Sequence, residues 1–203
     1  MSATKLRLSA GGERLGRESK RGRRRQATIV FVDETGFVLQ PLNRRTWTLR
    51  GTRPQQVAWQ RHDRLSVIGG LAISPRRRRV KLCFAVQQRN VRAPDLMRYL
   101  RALHQPHRGP LIVVLDRLNA HRSAVRRLRE YGADWLTVEW LLAYASELNP
   151  VEALWSHAKY SALANFVPDD LDHLNDTVLN AVDDIYFKPP LLQSFFQVAK
   201  LPL

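Results

Sequence analysis

A chain of 203 residues is long enough to bury one full-sized core, and 44% hydrophobic with 25% charged residues is the ordinary composition of a soluble globular protein, which needs neither disorder nor membrane residence to explain it. The unusual quantity is charge: 33 Lys and Arg against 18 Asp and Glu leave +15, which makes a polyanion the expected partner, a double helix being the densest, although charge alone suits DNA and RNA equally and also a ribosome-associated protein or a basic solvated surface. Cys83 is the sole cysteine, so a disulfide framework within one chain is excluded and a buried structural thiol is expected.

From Met1 to Gln26 the sequence is rich in Gly, Ser and Arg and has no apolar period. It reads as a flexible basic arm, either touching phosphate through Arg21, Arg23, Arg24 and Arg25 or simply solvated. It carries no apolar signal segment, and no stretch approaches the roughly 20 apolar residues of a membrane span, so a soluble, cytoplasmic protein is expected. Order begins with a β-branched strand from Ala27 to Val32, which runs out at Asp33. Further strands are predicted at Thr46–Leu49, Leu65–Ile73 and Lys81–Val86. Turn signals stand between them at Gly51, Thr52, Arg53 and Pro54 and at Ser74 and Pro75. Arg76, Arg77, Arg78 and Arg79 follow the second turn, form an exposed basic knob and are all four expected to contact DNA.

Leu96, Tyr99, Leu100 and Leu103 share one face of a helix closed by Pro106 and Gly109. The uninterrupted apolar run Leu111–Leu115 predicts a central strand buried on both faces, ending in Asp116. A helix from Ser123 to Tyr131 stops at Gly132, and a strand follows at Leu136–Leu142. Asn149 and Pro150 open a helix reaching about Leu163. Leu171 to Ile185 forms the last long helix, and a short one is expected around Leu192 to Ala199. The order fits an α/β fold with a mixed central sheet flanked by helices. Three parts are expected: the arm at 1–26, a core at 27–165 and a helical extension at 166–203. Trp47 and Trp59 either stack on bases or pack within the fold.

Asp33 and Asp116 both stand where apolar strands run out, the usual place for ligand chemistry in an open α/β sheet, although a carboxylate there also suits a turn. Glu152 is the third candidate. With Asn149 as N-cap and Pro150 at the first helical position, Glu152 falls at the third, where it either caps the Asn149 amide or leans from the edge of the apolar stripe Val151, Leu154, Trp155 and Ala158. Three grouped acids suit phosphodiester chemistry, because paired divalent cations activate an oxygen nucleophile and stabilise a leaving oxygen. Hard cations need only two or three carboxylates and keep water as well. Zinc spacings, a P-loop and a Gly-rich dinucleotide fingerprint are all missing from the sequence.

Three segments together resemble the DDE transposases of bacterial insertion sequences in the mariner-related superfamily. They are Phe31–Phe37 with the downstream Trp47 and Pro54, then Val113–Asp116 with Ala120, His121, Arg122 and Ser123, and finally Tyr144–Trp155. The resemblance covers roughly Ile29 to Lys159. It implies a ribonuclease-H-like core, with Asp33, Asp116 and Glu152 binding two Mg²⁺ or Mn²⁺ ions. It also implies cleavage of transposon ends and strand transfer into target DNA, in that family at TA dinucleotides. Glu34 would be a neighbour of the site, Asn149 an accessory residue, and His121 would either orient phosphate or cap the following helix. Double-stranded DNA is the implied partner, contacted also by Arg117 and Arg122, with a homodimer pairing two ends. Arg117 stands where the family often has Asn, and Leu142 and Ser146 replace its usual prolines. Because family members carry a helix-turn-helix region ahead of the first Asp, a separate helix-turn-helix half is a further expected partner. The competing readings are a catalytically silent DNA-binding remnant and a host nuclease of the same fold.

Overall fold

The computed structural model describes residues 26–201, apart from positions 43, 46, 53, 54, 56–62, 108, 143, 144 and 162. The basic arm with Arg21, Arg23, Arg24 and Arg25 lies outside the described residues, as do Thr46, Arg53, Pro54, Trp59 and Tyr144. Five strands and five helices stand among them. The strands are β1 (Thr28–Val38), β2 (Arg64–Ile73), β3 (Val80–Gln87), β4 (Leu111–Leu115) and β5 (Leu136–Trp140). The helices are α1 (Ala93–His107), α2 (Asn119–Glu130), α3 (Pro150–Tyr160), α4 (Leu171–Tyr186) and α5 (Pro189–Val198).

The strands form one mixed sheet in the order β3-β2-β1-β4-β5. Consecutive β1, β2 and β3 pair antiparallel, while β4 joins β1 and β5 joins β4 in parallel, with α1 and α2 as the intervening helices. Alternation along β1 divides the core in two. Ile29, Phe31 and Phe37 pack with Val151, Leu154 and Trp155 of α3, Val178 and Val182 of α4 and Phe196 of α5. Val30 and Val32 face the other way, onto Leu96 and Leu100 of α1 and Ala124, Val125 and Leu128 of α2. All five residues of β4 are buried, split between the two layers, which explains the unbroken apolar run.

Two adjacent glycines thin the sheet at its middle. A Cβ on Gly69 would meet the Trp155 ring at 2.5 Å, and one on Gly70 would meet the Tyr99 hydroxyl at 2.5 Å, so each layer presses an aromatic against bare backbone of β2. Tyr99 also donates to the Cys83 carbonyl at 2.9 Å; Cys83 itself is only half-buried, not the core thiol expected.

Several boundaries differ from those expected, each for a local reason. The first strand does not end at Asp33 but runs to Val38, because the polar stretch from Asp33 to Gly36 is paired residue by residue with β2. The described residues 47–49 form no strand, and Trp47 is fully exposed instead of packed. Pro106 lies inside the last turn of α1. The second helix starts at Asn119, four residues early, and ends at Glu130, two residues before Gly132, whose φ of +73° suits a glycine terminator, with the Ala133 amide closing onto the Leu128 carbonyl. β5 ends at Trp140 and α3 at Tyr160.

Candidate active site

Strand register brings the first two acids together. The parallel pairs of β1 and β4 run from Thr28 opposite Leu111 to Phe31 opposite Val114, and two more steps at the same offset set Asp33 opposite Asp116. Asp116 follows the last residue of β4. Asp33 continues inside β1, opposite Gly69 of β2. What runs out at Asp33 is therefore its parallel neighbour and not its own strand.

The third acid arrives on α3, and Asn149 fixes that helix to the sheet. Its Oδ1 accepts from the Val151 amide at 3.2 Å, capping the helix, and its Nδ2 donates to the Val32 carbonyl at 3.3 Å, one residue before Asp33. Pro150 fills the first helical position as expected. The Asn149 amide donates to the Ser146 carbonyl at 2.8 Å, which takes the place a capping-box Glu152 would have used and leaves that carboxylate exposed. Asp33, Asp116 and Glu152 line one cavity of about 190 Å³ with Arg117, Ser146, Asn149 and a few apolar residues.

Two further side chains on α3 had no part in the expected site. Trp155 Nε1 donates to Asp33 Oδ2 at 3.1 Å. Lys159 Nζ donates to Thr35 Oγ1 at 2.6 Å and stands over the Phe37 ring, 5.5 Å from its centroid. Glu152, Trp155 and Lys159 are spaced by three and four residues and so share one helical stripe, while Asp33, Thr35 and Phe37 share one strand face. That periodicity was the available signal for both residues.

The opposite face of β1 carries Glu34. Its Oε1 lies 2.9 Å from His121 Nε2, and His121 Nδ1 lies 2.5 Å from Asp116 Oδ1. The second contact is too poorly aligned for a good hydrogen bond and acts as an ion pair. His121 is 1% exposed, so it neither reaches phosphate nor caps α2; it bridges two acids. Burial pulls its pKa down, and the flanking Asp116 and Glu34 carboxylates more than reverse this, raising it to about 10. Asp116 is pushed up by burial but is held below the usual carboxylate range by His121 and by the Leu118 amide, which donates to Oδ1 at 3.0 Å.

Asp33 moves the other way. Burial, then the negative charges of Glu152 and Asp116, raise it to about 7, against the lowering effect of hydrogen bonds from the Glu34 backbone and Trp155. Burial likewise lowers Lys159, while Glu152 and Asp33 favour its charged form. Among the described residues no three of His, Cys, Asp and Glu stand close enough together to hold one metal ion as they are, with Asp33 turned to Trp155 and Asp116 to His121. The donor set itself fits a hard divalent cation: three carboxylates on one cavity, one of them destabilised in its charged form by burial and then by the other two. Of the predicted basic residues, Arg117 is exposed on the cavity rim and Arg122 is exposed on α2. Arg76, Arg78 and Arg79 are exposed on the β2–β3 turn, whereas Arg77 bends inward, only partly exposed, and donates to the Ala27 and Ser74 carbonyls. No helix among the described residues is long and apolar enough to cross a membrane.

Comparison with solved structures returns transposase complexes. A Mos1 transposase paired-end complex with left transposon end matches at a TM-score of 0.62 and 17% identity, covering 98% of this chain and 59% of that one. A Mos1 mariner paired-end complex with Mn matches at 0.59 and 17%, covering 98% and 62%. A Mos1 strand transfer complex matches at 0.59 and 18%, covering 96% and 56%. The likeness carries the fold, the ribonuclease-H-like sheet that the resemblance implied, and the chain spans about three fifths of the first relative's length. No curated protein sequence matches it. The family model described as DDE superfamily endonuclease matches residues 28–175, most of the chain and all three acids, and the chain therefore belongs to the DDE superfamily of endonucleases.

Proposed function

We propose that this chain is the catalytic domain of a DNA transposase, which cleaves transposon ends and joins them to target DNA in a metal-dependent reaction. The observation that carries the reading is the register: β1 and β4 bring Asp33 level with Asp116, and the Asn149 tether of α3 adds Glu152 to the same cavity. In this reading Asp33, Asp116 and Glu152 hold two Mg²⁺ or Mn²⁺ ions, a choice supported by their hard oxygen donors and by the Mos1 paired-end complex with Mn. Cations bound there activate the attacking oxygen and stabilise the leaving one. The chain's own groups prepare the site. Asp33 must give up a proton that burial and its neighbours retain up to about pH 7, and the Trp155 N–H favours that loss. The charged His121 fixes Asp116 from behind, with Glu34 as its second anchor.

Double-stranded DNA is the proposed substrate, supported by the net charge of +15 and by two exposed arginines, Arg117 at the cavity and Arg122 on α2. Pairing of two ends would call for a homodimer, and a helix-turn-helix half is the proposed reader of the ends. The catalytic part is proposed as 27–165, with 166–203 as the helical extension. A cytoplasmic, nucleoid-associated location is proposed with it. One observation favours the catalytically silent reading instead: the Arg117 guanidinium lines the acidic cavity and competes with a cation for it. Incubation with Mn²⁺ and DNA carrying the element's ends decides between them. Nicking or joining lost in Asp116→Asn is the expected result; binding without metal-dependent cleavage in the unaltered chain would establish the silent one.

A further inference from the structure

The four consecutive arginines between β2 and β3 do two different jobs. Arg77 sits at φ +57° with its side chain folded back, its Nη1 3.5 Å from the Ala27 carbonyl and 3.3 Å from that of Ser74, so it pins the turn to the start of β1. Ser74 organises the rest: its Oγ accepts from the Arg78 amide at 3.3 Å and the Arg79 amide at 3.2 Å, and its own amide donates to the Arg79 carbonyl at 2.9 Å. The turn is thus held by its own backbone, and Arg76, Arg78 and Arg79 project from it into solvent.

Those three line a concavity of about 700 Å³ together with Gln26, Ser74 and Pro75, and among the described residues no carboxylate lines it. Arg89 and Arg98, by contrast, are neutralised in place: both close on the buried Asp95, at 2.6 and 2.5 Å. The concavity also lies away from the acids. Ile73, where the turn begins, pairs with Ile29, four residues before Asp33 on β1, which is about 13 Å of strand or roughly four base pairs of duplex rise. Gln26 follows directly on the sequence run Arg23, Arg24 and Arg25.

We infer that Arg76, Arg78 and Arg79 form a preorganised seat for the phosphate backbone of double-stranded DNA, separate from the acidic cavity and indifferent to base sequence. The inference rests on the proposed action on DNA and adds to it a second place of attachment, made by charge alone. Rigid presentation by Arg77 and Ser74 means the three guanidinia meet phosphates without first being ordered, and each phosphate neutralised releases counterion, so the seat is read in the salt dependence of binding.

The test is fluorescence anisotropy of the full chain on a duplex of about 30 base pairs of arbitrary sequence across a salt series, comparing the unaltered protein with the triple variant Arg76→Gln, Arg78→Gln, Arg79→Gln. The slope of log affinity against log salt should become shallower by about 2 to 3, at about 0.9 for each phosphate no longer neutralised, and the triple Arg→Lys variant should keep most of it. Arg77→Ala should change the slope by less than the value of a single phosphate while lowering the melting temperature. An unchanged slope in the Gln variant, with the unaltered chain still binding, would overturn the seat and leave the DNA reading standing. Failure of the unaltered chain to bind duplex at any salt would overturn both.

Discussion

Asp33 and Glu34 are neighbours in one strand and chemically alike, yet the structure assigns them to opposite faces. Asp33 looks toward α3, where Trp155 holds it and Glu152 and Asp116 crowd it; its proton is retained up to about pH 7. Glu34 looks toward α2, where it meets the cation His121. One acid is left with an excess of negative charge for a ligand to relieve, and the other is already neutralised. Strand alternation, not residue type, decides which of the two is available for chemistry.

The sharpest way to break that contrast is Asp33→Asn. It should reduce metal-dependent cleavage by about a thousandfold or more, the scale of losing a group essential to the reaction. The same change should stabilise the cation-free protein. An acid whose folded pKa is raised contributes stability below its unfolded value, lost as pH rises through the folded one, so the unaltered protein should lose stability between its ordinary 3.8 and about 7. The amide variant should lack that loss and be more stable by about 1–3 kcal/mol near pH 8, read by thermal denaturation across pH.

Glu34→Gln probes the other face. It leaves the three acids in place but removes one of the two charges behind His121, and activity or cation affinity should fall by about 10–100-fold; a variant as inactive as Asp33→Asn would mean the faces are not distinct. His121 adds a second pH limb of its own: with a folded pKa raised from 6.5 to about 10, its contribution is complete below 6.5 and vanishes as pH climbs through 10. Gly69→Ala tests whether the packing of Trp155 holds the arrangement; its Cβ would meet the ring at 2.5 Å, and destabilisation of about 1–3 kcal/mol is expected in denaturant melts. The mildest change is Trp155→Phe. Removing the N–H should raise Asp33 further and shift the acid limb of the cleavage profile to higher pH by about one unit at most.

Much of this arrangement is legible in the residues themselves. The unbroken apolar run of Leu111–Leu115 marks the strand buried on both faces, and Asn149 with Pro150 marks the start of α3 to the residue. The segment Asp33–Gly36 looks like a turn because its residues are polar, and only pairing with β2, far along the sequence, makes it strand. The expected strand before Leu49 fails in the reverse direction: local β-propensity at Trp47 finds no partner strand among the described residues. His121 looks like a cap or a phosphate ligand because a single sequence gives no sign that Glu34, 87 residues away, closes on its other nitrogen.

The indole hydrogen bond from α3 gives the molecule an internal optical gauge. A tryptophan whose N–H rests on a carboxylate changes its emission when that oxygen is claimed by something else, so with the other tryptophans replaced by phenylalanine, the fluorescence of Trp155 would report the filling of the acidic cavity in real time, without any substrate being turned over.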